Sequence, residues 1–319
     1  MQRAETWNRY WRSGAAHSLE GSLPADYGAE IGGWWRDFFR RQALGASVLD
    51  LCTGSGVLCR IALEAQRGFA LTAIDLVAAA PPWFETPDAR SAATFLGGVM
   101  AEDLPLASGS QRVIVSQYGV EYSDLERSAV ELLRVAHREA CVALVLHSTD
   151  SRPVSIARQD VPALQWFLGS SGPFVAWKAV IGWMAAFHAD PTRLTSSQRA
   201  EADADRRRFN DASRAIDEVA ASTGSDLLPS LMGLLATSTR ALPMLPAAER
   251  ERAFDALESD FRGNLLRSTE LVESALNEDR AAWLAALLST GLGRASRIET
   301  VSAEGHLMGW RISNATDPE

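Results

Sequence analysis

Short apolar runs that stop at an acid alternate with helical stripes along the first half of this chain. Residues 48–56, VLDLCTGSG, open the pattern. Val48, Leu49 and Leu51 fit a strand buried on both faces, and Gly54 and Gly56 let the backbone turn tightly where a side chain would block a ligand. Val57, Leu58, Ile61, Ala62 and Leu63 follow at helical spacing, so the order is strand, loop, helix. A second apolar run, 69–74, ends at Asp75. Leu125, Ala129, Leu132, Leu133 and Ala136 form one helical stripe behind a capping box of Ser123 and Glu126, and residues 141–146 read as a further buried strand. Near the end, 297–301 and 306–313 are strand-like runs joined by a turn containing Gly305.

More residues separate 146 from that hairpin than a crossover helix needs, so residues 151–280 are expected to be an inserted helical subdomain. Its stretches 197–219 and 246–276 have helical composition and spacing, with Phe254, Leu257, Phe261, Leu265, Leu266 and Leu271 as apolar positions. Breaks are predicted at Gly172-Pro173, at Asp190-Pro191 and over 242–246, and 279–292 returns as the crossover helix. Early in the insertion Trp166, Phe167, Phe174, Trp177, Trp183 and Phe187 cluster. They read either as an apolar substrate pocket or as ordinary helix core.

Strand, glycine loop and helix in this order suit folds that bind dinucleotides and folds that bind S-adenosylmethionine. A dinucleotide fingerprint wants a third glycine three residues after the second, where this chain has Cys59. Asp75 stands where a doubly wound sheet places an acid for ribose hydroxyls, which both cofactors carry. The segment 101–124, AEDLPLASGSQRVIVSQYGVEYSD, separates them: together with VLDLCTGSG it resembles class I S-adenosylmethionine-dependent methyltransferases, in particular bacterial type 11/25-like members. The resemblance covers about residues 5–150 and 281–313.

It implies an α/β fold, a Rossmann-like seven-stranded methyltransferase sheet of order 3-2-1-4-5-7-6 with the last strand antiparallel. The implied organisation is an N-terminal helical lid segment over 1–40, a cofactor-binding domain of 41–150 and 281–319, and the insertion as substrate cap or oligomerisation element. The implied cofactor is S-adenosyl-L-methionine. Asp50, Cys52, Thr53, Gly54 and Gly56 would hold its methionine end, Asp75 and Leu76 its ribose, and Met100, Ala101 and Glu102 its adenine. Gln117 and Tyr118 would flank the sulfonium, and Tyr10 would reach the cofactor from the lid. Two departures from the family's pattern stand out: Met100 replaces an acid that many relatives use for the adenine amino group, and Cys52 replaces a common glycine. Trp7, Tyr10, Trp11 and Tyr27 form either that lid or a helix docked on the sheet edge.

Composition narrows the partners. A chain of 319 residues, 47% hydrophobic and with three cysteines, has no apolar run long enough to span a bilayer, and MQRAETWNRYWR lacks the apolar region of a signal peptide. A cytoplasmic enzyme without membrane association is the expectation. The net charge of −9 argues against nucleic acid, whose binding needs clustered cations. Arg206, Arg207 and Arg208 sit among Glu201, Asp203, Asp205 and Asp211 and read as a solvated helix face. Cys52, Cys59 and Cys141 show no metal-ligand pairing, so no metal is assigned.

Methyl transfer to a small molecule is the leading expectation. The other readings are a cofactor-using enzyme of another type, cyclising or eliminating the aminobutyrate tail, and a non-catalytic cofactor-binding protein. If a base is used, His147 is the first candidate, since histidine changes charge near neutral pH, or else it is a structural histidine bonded to backbone. Glu121 is expected beside it above the sheet, either in catalysis or orienting substrate, with Tyr118 and Tyr122 as walls. The acceptor atom and the oligomeric state stay open, a homodimer through the insertion included.

Overall fold

The computed structural model describes residues 2–15 and 27–315. They divide into two compact units: one takes in the described residues up to Ser155 and from Leu271 onward, and the other is Ile156–Glu270.

The first unit is built on one seven-stranded sheet. Its strands are β1 (Ser47–Leu51), β2 (Ala70–Asp75), β3 (Ala93–Gly97), β4 (Gln111–Gln117), β5 (Ala136–Leu146), β6 (Arg297–Ala303) and β7 (His306–Ser313), in spatial order β3-β2-β1-β4-β5-β7-β6. The first five are parallel, while β7 runs antiparallel to β5 and to β6. This is the methyltransferase type of Rossmann-like sheet. Val48, Leu49 and Leu51 are buried, as continuous apolar runs in a sheet covered on both sides require.

Its helices are α1 (Gln2–Arg12), α2 (Gly33–Arg40), α3 (Val57–Ala65), α4 (Pro87–Ala92), α5 (Leu125–Val135) and, in sequence after the second unit, a helix over Glu278–Leu292. On one face, Trp35, Phe38 and Phe39 of α2 pack with α3 and with Val48, Val113 and Val145. On the other, α5 and the Glu278–Leu292 helix pack Leu132, Leu284 and Leu288 against Leu49, Ile114 and Leu144. The segment 1–40 is thus divided: α2 belongs to the core, α1 faces the site described below, and residues 16–26 of the expected lid lie outside the described residues.

Some boundaries differ from expectation. The capping box of Ser123 and Glu126 is not formed. Asp124 caps α5 instead, its Oδ1 accepting from Arg127 N at 3.2 Å, because the Ser123 hydroxyl already donates to Val120 O at 2.6 Å. Glu126 turns away to pair with Arg280. Ala136, expected on the helix, opens β5 opposite Gln111.

The second unit is helical: α6 (Arg152–Leu168), shared in sequence with the first unit, then α7 (Pro173–Ala189), α8 (Ser196–Arg214), α9 (Ile216–Thr223), α10 (Leu227–Ser238) and α11 (Ala247–Ser274); the Glu278–Leu292 helix is α12. The stretch 197–219, expected to be helical, is covered by α8 and α9, which are parted at Ala215. Phe167, Phe174 and Trp177 are buried with Phe254 and Phe261, so these early aromatics form core, whereas Phe187 is exposed. Arg206 and Arg208 pair with Asp203 and Asp205 on an exposed face of α8. Among the described residues no helix is long and apolar enough to cross a membrane.

Candidate active site

Parallel order brings the carboxyl ends of β1, β2, β4 and β5 to one edge, where open α/β sheets take ligands. The loop after β1 turns through three left-handed residues, Cys52 at φ 55°, Gly54 at φ 55° and Gly56 at φ 85°. It is tied to β2: Thr53 N donates to Ile74 O at 2.9 Å, and Gly54 N donates to Asp75 Oδ2 at 2.8 Å. Asp75 Oδ1 accepts from Val77 N at 2.9 Å, so one carboxylate holds both loops. Burial pushes the Asp75 carboxyl up, against the opposing pull of those amide donors.

Asp50 lies under the loop. Its Oδ2 accepts from Thr53 Oγ1 at 2.5 Å and from Cys59 Sγ at 3.5 Å. Burial pushes its carboxyl up to about 7, the Thr53 and Cys59 hydrogen bonds only partly opposing this. Burial likewise raises the thiols of Cys52 and Cys59 well above their ordinary range, so neither offers a thiolate.

The end of β4 is locked to the same loop. Ser116 Oγ donates to Leu51 O at 2.8 Å and accepts from Val120 N at 3.1 Å. A Cβ on Gly119 would stand 2.7 Å from Cys52 Cβ, so only glycine permits this approach. Gln117 Oε1 accepts from Trp35 Nε1, while its Nε2 is buried without a partner. Tyr118 follows in the left-handed region at φ 52°, a costly conformation for a residue with a Cβ. Burial holds its phenol well above the ordinary range, which keeps it protonated.

Glu121 and His147 are brought together, but inside the protein. Glu121 Oε1 accepts from His147 N at 3.0 Å and lies 2.9 Å from ring Nδ1. The imidazole stacks on Tyr118 with ring centres 4.2 Å apart, and Tyr122 meets it edge-on at 6.0 Å. Glu121 Oε2 and His147 Nε2 are both buried and unpartnered. Both residues were expected to point into the cleft. Instead the two side chains are buried, because the turn Val120–Tyr122 folds Glu121 back onto the end of β5.

Two cavities line this edge. One of about 150 Å³ is walled by Cys52, Gly54, Asp75, Leu76, Met100, Ala101 and Glu102, with Tyr118, Tyr122, Trp7 and Trp11. The other, about 30 Å³, is walled by Asp50, Thr53, Gln117 and Tyr27 and shares Cys52, Gly54, Tyr118 and Trp11. The Glu102 carboxylate is partly engaged, its Oε1 accepting from Asp124 N at 2.7 Å, and Met100 is half-exposed. Gly56 starts α3 beneath Trp83 and Phe84 and walls neither cavity. Tyr10 also walls neither; its ring packs edge-on against Trp7 and Trp11. Trp7 and Trp11, expected in a lid or in a helix docked on the sheet edge, wall the larger cavity, and with them stand Gly119, Val77 and Val99, which the sequence did not point to. A glycine directly after the β4 tyrosine was the available signal for Gly119. A third, open cavity of about 840 Å³ lies between the starts of α5 and α12, walled by Asp124, Arg127, Thr149, Asn277 and Arg280.

No protein-family model matches the chain, and no curated protein matches it. Solved structures do. An S-adenosylmethionine-dependent methyltransferase from Aquifex aeolicus matches at TM-score 0.36 and 17% identity over 46% of this chain and 75% of that one. Geranyl diphosphate C-methyltransferase from Streptomyces coelicolor matches at 0.36 and 16% over 46% and 65%. YcgJ from Bacillus subtilis matches at 0.34 and 18% over 42% and 59%. In several such pairs the match spans only about three fifths of the other chain. At these scores the fold rests on the sheet order itself.

Proposed function

We propose that this chain is an S-adenosyl-L-methionine-dependent methyltransferase that passes a methyl group in line to a small-molecule acceptor. The observation that carries this reading is the cradle at the carboxyl edge of the sheet: the Gly54 loop, the Asp75 carboxylate and the Gln117–Gly119 turn, tied together by hydrogen bonds beneath a shared pair of cavities.

The residues fit the cofactor. Gln117 Nε2 is a buried donor lacking an acceptor, beside the small cavity walled by Asp50, Thr53 and Gly54, which suits the amino-acid end. Asp75 uses each oxygen once and keeps lone pairs for ribose hydroxyls. Leu76, Met100 and Ala101 give apolar walls for a purine, and Glu102 borders them. When bound, the cofactor supplies a methyl group activated by a sulfonium.

The chain's own part is positioning, exclusion of water and, for a protic acceptor, removal of a proton. Tyr118 and Tyr122 wall the larger cavity. Glu121 accepts at Nδ1 of His147, which assigns the ring proton to that nitrogen and leaves Nε2 with its lone pair. His147 then takes the proton of a phenol, alcohol or amine, and Glu121 acts through it as a positioning residue. Tyr122 stands edge-on to the imidazole and also walls the larger cavity. A net charge of −9, with the Arg206 and Arg208 side chains already paired, supports a small molecule over nucleic acid.

Calorimetric titration with S-adenosylmethionine, S-adenosylhomocysteine and NAD in parallel tests the reading. Binding of the first two alone is expected; binding of NAD, or of none, contradicts it.

A further inference from the structure

The cradle is covered by one indole. A Cβ placed on Gly54 would meet Trp11 Cζ2 at 2.9 Å, so the Trp11 ring lies directly on the bare face that the glycine offers to a ligand. Trp11 also walls both cavities. At about 150 and 30 Å³ they fall well below the roughly 300–1,000 Å³ of pockets that enclose ligands of this size.

Around the indole, α1 meets the turn after β4. Trp7 stacks on Trp11 at 5.7 Å and meets Tyr122 edge-on at 5.8 Å, and Arg3 donates to Tyr122 O at 2.6 Å. Trp7 and Trp11 are only half-buried, and neither belongs to the core on either face of the sheet. Displacing these two indoles therefore opens neither of those cores.

We infer that Trp11 is a plug for the cofactor cradle: its indole competes with the cofactor for the face of the Gly54 loop, so binding requires α1 to move and Trp11 sets the affinity of the site. The inference rests on the cofactor reading above. The observed dissociation constant is then the intrinsic one divided by the open fraction. With an open form of about 10% or less, removing the indole tightens binding at least tenfold. A Trp11 that instead stacked on the bound cofactor would act with the opposite sign, since its removal would weaken binding.

The experiment is calorimetric titration of full-length Trp11→Ala with S-adenosylhomocysteine. A dissociation constant lower than that of the unaltered chain by about tenfold or more is expected; an equal or higher one overturns the plug. A second measurement needs no variant. In stopped-flow mixing of the unaltered chain with S-adenosylhomocysteine, the rate of the tryptophan fluorescence change should level off at the rate of opening as ligand rises. A rate that climbs linearly throughout overturns the plug while leaving the cofactor reading intact. Binding to neither protein overturns both.

Discussion

Asp75 and Asp50 stand at the carboxyl ends of neighbouring strands, the last residue of β2 and the last but one of β1, yet their carboxylates are put to different uses. Asp75 holds Gly54 N and Val77 N and faces the larger cavity, so Asp75→Ala should weaken S-adenosylmethionine binding by about 1–3 kcal/mol, read by calorimetry. A folded variant of unaltered affinity would take Asp75 out of the site. Asp50 is turned inward, and its carboxyl lies near 7 when folded against an ordinary 3.8. Between those values the folded chain holds a proton that the unfolded chain has released, so this group's contribution to stability is lost as pH rises from about 4 to 7. Urea midpoints measured across that window should fall less steeply for Asp50→Asn than for the unaltered chain; parallel slopes would refute the assignment. For His147, exchange to Gln should lower turnover about 10²- to 10⁴-fold while cofactor affinity holds, and Glu121→Gln should lower turnover by less. Loss of affinity and turnover together would leave the pair a packing role. At this scale the sequence was informative where an acid ends an apolar run, as at Asp50 and Asp75. It said nothing of the burial of the Glu121–His147 pair, which depends on how a three-residue turn after β4 folds back onto the end of β5.

Among the elements, the strand–loop–helix over β1 and α3 and the closing hairpin of β6 and β7 were legible because their apolar periods are unmixed. β3 was not: five residues long, at the sheet edge and with no buried side chain, ATFLG carries almost no pattern. The start of α5 was misread because Ser123 and Asp124 are both capping residue types, and the choice between them is made by the Val120 carbonyl. Asp124→Ala should therefore cost about 0.5–2 kcal/mol in urea unfolding, more than Ser123→Ala does. The reverse order would restore Ser123 as the cap.

Over the whole molecule, the length of the chain announced a second unit, and helical spacing announced its class. The use of its aromatics was not legible, since Phe167, Phe174 and Trp177 suit a pocket or a core equally until their neighbours are known. The position of α1 was hidden for a related reason, because a short amphipathic helix carries no record of the face that it covers. The account stands or falls on the cradle at the carboxyl edge of the sheet. A crystal structure of the chain grown with S-adenosylhomocysteine addresses it directly. The account predicts density between the Gly54 loop and Gln117, with Gln117 Nε2 donating to the ligand and Asp75 accepting from its ribose; density elsewhere, or a cradle left unchanged at saturating ligand, would contradict it.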